Sequence, residues 1–249
     1  MIRKKRRFLV VFLIIFLCCS GIFIFYISNP ANFRDLKNEI RNAFREDTIQ
    51  DSYNAKSLLM VDLSNNEIFI SKNEEKQQLP ASLAKLFVIE YAATLINLDD
   101  IVLVSSETIA LTKPGSSIAN IQEKEYYIHN LFAAMLVPSG NDAAYVIADY
   151  CGELLSPNAK TSQERIEIFM DQLNQYLKEE EYKNTVLYDP SGFDTEARTT
   201  VIDLEKVVKK LLTYKWFRDI VSQQTYTATL PDKTIQTWEN TNIFLDTTS

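Results

Sequence analysis

The sequence predicts an α/β (α+β) layered domain, and three observations predict it: a strand hairpin near residue 60, a mostly helical body after it, and turn-forming clusters between the helical segments. Residues 57–63 read as a strand, Ser64-Asn65-Asn66 as a turn and residues 67–70 as the return strand. Leu79-Pro80-Ala81-Ser82 then leads into an apolar helical run through Phe87, Val88, Tyr91, Ala92 and Leu95. Proline near the start and no breaker afterwards place the helix N-terminus within a residue or two of Ser82. Residues 129–136 predict a helix that stops at Val137-Pro138-Ser139-Gly140-Asn141, and residues 142–150 restart one. Helices follow at about 163–180 and 201–212, separated by the turn-rich Asp189-Pro190-Ser191-Gly192, and 226–230 reads as a short strand. The hairpin at 57–70 finds no other clear strand to join, and a lone hairpin is marginal in water.

The chain has 249 residues, 46% of them hydrophobic, enough for one large domain or two small ones. No repeat of fixed period is present. Five of the 26 basic residues lie in Arg3-Lys4-Lys5-Arg6-Arg7, which leaves 21 basic against 33 acidic residues in the rest. An acidic body of that kind does not neutralise phosphates, so nucleic acid is not an expected partner.

The basic cluster precedes an uncharged, mostly apolar stretch from Phe8 to Ile27, long enough to span a bilayer as a helix with its basic flank on the cytoplasmic side. The stretch is long for a signal-peptide core, and no A-x-A pattern follows it. Residues 1–28 are therefore expected to anchor the chain in the cell membrane, with an uncleaved signal as the other reading. Residues 29–54 form a polar stalk, in which Phe33, Leu36, Ile40 and Phe44 recur at helical spacing. Residues 55–249 then make a catalytic domain on the extracellular face. Cys18 and Cys19 fall in the apolar run, so Cys151 stands alone and reads as a buried thiol in a helix. An exported domain without disulfides is in keeping with a Gram-positive type of cell surface.

With His129 as the single histidine, a zinc site is nearly excluded, and no metal or cofactor is expected. A nucleophilic serine here needs a base other than histidine. In Ser82-Leu83-Ala84-Lys85 the two ends share one helix face, so the lysine amine can reach the serine hydroxyl. Burial brings a lysine pKa down towards a working range, and a helix N-terminus favours a developing oxyanion. Ser139-Gly140-Asn141 is weak as a bare pattern, since S-x-N recurs at Ser52, Ser64, Ser71 and Ser156. Only the copy at 139 sits in a tight loop between two apolar helices. There a hydroxyl can relay a proton and an amide can bind a substrate backbone; the plainer reading is a helix–helix turn with Ser and Asn as caps.

Leu79-Pro80-Ala81-Ser82-Leu83-Ala84-Lys85, Gly115-Ser116-Ser117 and residues 136–144 together resemble the serine D-alanyl-D-alanine carboxypeptidases, the low-molecular-mass penicillin-binding proteins. Residues 169–173, Lys183-Asn184-Thr185 through Gly192, and Trp238-Glu239-Asn240-Thr241-Asn242 extend the likeness in the family's order. The resemblance implies a DD-peptidase/β-lactamase-like fold, with a helical subdomain packed on an antiparallel sheet. It also implies that Ser82 attacks the penultimate D-alanine carbonyl of a peptidoglycan stem peptide, with Lys85 as base. Ser139 would assist proton transfer and Asn141 would position substrate. Water would release the trimmed stem, and β-lactams would acylate the same serine. Routine wall maturation and removal of D-Ala-D-Ala ends in glycopeptide resistance both fit that chemistry.

The family's Lys-Thr-Gly strand normally follows the Trp-x-Asn-Thr-Asn segment. The 249 residues contain none, so the chain reads as one truncated before that motif and its flanking sheet strands, with weak or no carboxypeptidase activity expected. Lys160-Thr161-Ser162 comes too early, and Lys233-Thr234-Ile235 precedes Trp238 and lacks the small third residue. Two other functions remain open: a penicillin-binding pseudoenzyme, and a β-lactamase using Glu164 or Glu167 to activate water.

Overall fold

The computed structural model describes residues 54–245, and the expected anchor at 1–28 and nearly all of the stalk at 29–54 lie outside them. Among the described residues no helix is long and apolar enough to cross a membrane. The chain divides into two compact units, residues 1–73 and 74–249. The first carries the predicted hairpin, β1 (Leu58–Asp62) and β2 (Glu67–Lys72), antiparallel with a register shift between Met60 and Val61. Its turn is closed by side chains: Asp62 accepts from Ser64 N, and Asn65 accepts from Glu67 N.

The second unit runs α1 (Ala84–Leu95), β3 (Ile101–Leu103), α2 (Ser106–Ala110), β4 (Glu125–Tyr127), α3 (Ile128–Leu136), α4 (Asn141–Leu155), α5 (Ser162–Glu179), α6 (Val201–Leu211), α7 (Lys215–Val221), β5 (Thr225–Thr229) and β6 (Ile235–Glu239). Strands β3–β4 and β5–β6 are separate antiparallel pairs, so small two-stranded sheets accompany a helical body. The α+β expectation holds. The predicted helices lie within two residues of their expected starts. Sequence reading did not mark β3 and β4, each three residues long, nor α2, α7 and β6.

Local chemistry starts and stops these helices. Ser105, Thr161 and Thr200 cap α2, α5 and α6, each side chain accepting the N–H three residues on. Acidic residues occupy the first turns of α2, α4, α5 and α6, and Lys209 and Lys210 the last turn of α6, as the helix dipole favours. Helix α1 is different. Lys85, Phe87, Val88, Ile89, Glu90, Tyr91 and Ala92 are all buried, so it is enclosed on more than one face. Around it pack Leu131 and Phe132 of α3, Ala144 and Ile147 of α4, Phe169 and Leu173 of α5, and Val207 of α6, all in one core. Cys151 is a free, fully buried thiol of α4, as its helical context predicts.

Candidate active site

The segment before α1 is bent. Pro80 leads into Ala81 at φ +48°, and Ala81–Leu83 form one 3-10 turn that leaves Ser82 exposed. A non-glycine residue at that φ is held there by its surroundings. Lys85 follows one turn later and is 2% exposed. Its Nζ lies 3.0 Å from Ser82 Oγ, 3.4 Å from Ser139 Oγ and 3.3 Å from the Ser191 carbonyl oxygen. Three separate segments therefore meet on one amine. The first turn of α1 holds no acidic residue and no side-chain cap, so no side chain of its own offsets its positive end.

Ser139 also has positive φ, +61°, in the connection between α3 and α4. Gly140 beside it is a packing necessity, because a Cβ there would stand 2.6 Å from Ala119 Cβ and 2.7 Å from Ala134 O. Asn141 opens α4 with its N–H on Ser117 O at 2.8 Å, and its side-chain oxygen is buried without a partner. An amide so placed can accept an N–H from a bound molecule. Asp142 fixes the facing loop, accepting from Ala119 N, Ile121 N and Ala143 N. Trp238 Nε1 donates to Ala119 O at 2.8 Å, and Gln236 Nε2 to Ala119 O and Asn120 O. The β5–β6 hairpin thus braces the loop that holds Asn141.

The third support is the turn Asp189–Gly192, a turn-rich stretch within the family likeness to which the sequence assigns no site role. Asp189 Oδ1 accepts from Ser191 N at 2.8 Å, from Ser191 Oγ and from Phe193 N at 3.3 Å, while Oδ2 accepts from Asp194 N at 2.6 Å. Gly192 has φ +77°, and a Cβ there would lie 1.9 Å from Ala81 O. The turn is pressed against the backbone just before Ser82. Paired backbone bonds between Val186 and Arg198, and between Gln78 and Thr199, hold its two arms.

Burial pushes the Lys85 amine down from 10.5 to about 8, against the opposing pull of Asp189 and Asp142. That is the range of a general base. Two hollows flank the supports and do not include Ser82 or Lys85: one of about 330 Å³ bordered by Tyr145, Tyr188, Asp189 and α5, and a shallower one of about 500 Å³ bordered by Lys113–Ser116, Asn120 and Asp142. Other candidates have structural positions. His129 places Nδ1 3.0 Å from Leu98 O and stacks on Tyr127. Thr161 caps α5, and Lys233 sits at φ +68° in the β5–β6 turn, so neither look-alike triplet forms a site strand.

Comparison with known proteins bears on the fold and the family. At 22% identity, the fold is similar to a mutant of the Streptomyces K15 DD-transpeptidase, with a TM-score of 0.68 over 78% of this chain and 77% of that one. Penicillin-binding protein 6B from Escherichia coli is similar at 25% identity and a TM-score of 0.63, over 78% of this chain and 60% of that one. In sequence, the D-alanyl-D-alanine carboxypeptidase DacD of Escherichia coli is 30% identical over 149 residues, 56% of this chain and 36% of the relative. The DacF enzyme of Bacillus subtilis is 23% identical over 168 residues, 66% and 40%. The chain thus spans well under half the length of these two curated relatives. The family model described as D-alanyl-D-alanine carboxypeptidase matches residues 44–249, and the chain belongs to that family.

Proposed function

We propose that the protein is a serine D-alanyl-D-alanine carboxypeptidase that trims the terminal D-alanine from peptidoglycan stem peptides through an acyl-enzyme on Ser82. The observation that carries this reading is the 3.0 Å approach of a buried Lys85 amine, its pKa drawn down to about 8, to the hydroxyl of an exposed Ser82. Neutral Lys85 takes the Ser82 proton as Oγ bonds to the carbonyl carbon of the penultimate D-alanine. The tetrahedral oxyanion forms at the positive end of α1. Its collapse breaks the C–N bond, and the proton passes from Lys85 by way of Ser139 to the departing amine. Water, losing a proton to the now neutral Lys85, then attacks the ester carbonyl, and the proton returns from Lys85 to Ser82 Oγ as the C–O bond breaks. The buried, unpartnered oxygen of Asn141 supports a role in holding the substrate backbone.

A β-lactam carries the same acyl chemistry and serves as the test. A fluorescent penicillin should label the chain at Ser82, and Ser82→Ala should abolish labelling. D-alanine release from a pentapeptide then separates turnover from binding. Persistent labelling of Ser82→Ala, or none of the native chain, would overturn the enzyme reading and favour a binding domain. The β-lactamase reading has less behind it: Glu164 accepts from Lys160 N and Glu167 from Gln163, both on exposed surface.

The address is part of the same proposal. Residues 1–28 anchor the chain in the membrane, residues 29–54 act as a stalk, and residues 55–249 work on the outer face of a bacterial cell. Protease added to intact protoplasts should remove the catalytic domain. Protection of the whole chain would reject that topology.

A further inference from the structure

We propose that Asp189 is a positioning residue for proton transfer between Lys85 and Ser82, acting through the Ser191 carbonyl. The inference rests on the reading of Ser82 as nucleophile and Lys85 as base. A neutral lysine has two N–H bonds and one lone pair. A carbonyl can only accept, so Ser191 O, at 3.3 Å, always takes one N–H. Ser139 Oγ can take the second, which leaves the lone pair for the Ser82 hydroxyl at 3.0 Å. The direction of that lone pair therefore depends on where the Ser191 carbonyl stands.

Asp189 sets that position. Its two oxygens collect Ser191 N, Ser191 Oγ, Phe193 N and Asp194 N, which closes the turn on one carboxylate. The turn cannot retreat towards Ser82, because Gly192 already meets Ala81 O at a distance no side chain would allow. Asp189 also places negative charge near Lys85 and favours its protonated form. Residues 189–192 thus aim the base and limit how freely it gives up its proton. Other charged and titratable groups face this region: Asp142 and Tyr145 from α4, Glu167 and Asp171 from α5, Lys113 from the loop after α2, and Asp194 from the turn itself.

The test compares the full chain with Asp189→Asn and Asp189→Ala. Asparagine keeps an acceptor for Ser191 and Phe193 but loses the charge and the acceptor for Asp194 N. Penicillin acylation rates measured against pH should show the acid limb of Asp189→Asn moved to lower pH by up to about one unit, with its plateau within about tenfold of wild type. Asp189→Ala should lose at least about tenfold at the plateau as the carbonyl drifts. A second measurement needs no reaction: the Lys85 13Cε resonance, assigned by its loss in Lys85→Met, should titrate lower by the same amount in Asp189→Asn. An unshifted Lys85 titration, or plateaus for Asn and Ala that fall only with the folded fraction, would overturn the proposal. A chain that takes no penicillin but shows the shifted resonance would sink the carboxypeptidase reading and leave the role of Asp189 in aiming Lys85 standing.

Discussion

Helix α1 buries two charged side chains one and a half turns apart, and they are handled in opposite ways. Glu90, 1% exposed, is saturated: Tyr182 OH donates at 2.7 Å, Tyr176 OH at 3.0 Å, and Lys210 Nζ lies at 2.7 Å. Although burial works to lower the Lys210 pKa, its bonds to Glu90, Tyr176 and Glu180 leave the net shift upward. Lys85 has no carboxylate at bonding distance, only two hydroxyls and a carbonyl at 3.0 to 3.4 Å, and burial draws its pKa down. A buried charge with full, short partners fixes structure. A buried charge with long, neutral partners is held ready to change its protonation state.

Removing each group should therefore break different things. Lys85→Met should lower penicillin acylation by about a thousandfold, since a general base contributes roughly 10² to 10⁴ in rate, and should leave the fold intact. Glu90→Ala should do the reverse. Two tyrosine hydroxyls and an ammonium lose a common acceptor, and breaking such a buried pair costs about 3–5 kcal/mol, near the lower end because Lys210 is 34% exposed and can rehydrate. Urea unfolding would read the loss. Equal destabilisation by both variants would erase the distinction between the two sites.

How much of this contrast could be read in the sequence depends on what carries it. Ser82 and Lys85 were legible because both are side chains and their spacing is helical. Ser139 and Asn141 were legible from a loop squeezed between two apolar helices. The Ser191 carbonyl was not, because a backbone oxygen has no residue signature and its position depends on contacts across more than a hundred residues. Glu90 was equally silent: its partners Tyr176, Tyr182 and Lys210 lie far along the chain and share no pattern with it. Strands β3 and β4 are three residues each, too short for alternation to register. The hairpin β5–β6 was half read, because Trp238 stood out as a motif residue while its role as a brace on Ala119 needed the fold.

The next test follows from the sign of the Lys85 shift. Its folded pKa, about 8, lies below the ordinary 10.5, so the unfolded chain holds this proton more tightly. Below pH 8 both states are protonated and the fold bears the whole penalty, about 3 kcal/mol at ~1.4 kcal/mol per pH unit. Between 8 and 10.5 the folded amine is neutral and the penalty fades. Lys85→Met should accordingly be more stable than wild type by up to about 3 kcal/mol at pH 7, with the gap narrowing towards pH 10. Acylation by wild type should rise with pH and level off above about 8. A stability gap independent of pH would mean that folding leaves the Lys85 pKa where it stands in the unfolded chain.

The smallest effect probes how much of the Glu90 site is charge. Glu90→Gln retains one acceptor oxygen for Tyr182 or Tyr176 but removes the ion pair with Lys210. It also adds an NH2 that must find an acceptor where none was needed. Lys210 keeps Glu180 Oε2 at 3.0 Å and its position over the Tyr176 ring. With one partner lost and another retained, the expected loss is about 1–2 kcal/mol, well under that of Glu90→Ala. Because Lys85 relies on none of these groups, the pH midpoint of acylation should stay where it is in wild type. A midpoint that moved with Glu90→Gln would show the two ends of α1 to be electrostatically coupled, and the separation between a saturated and a poised charge would have to be given up.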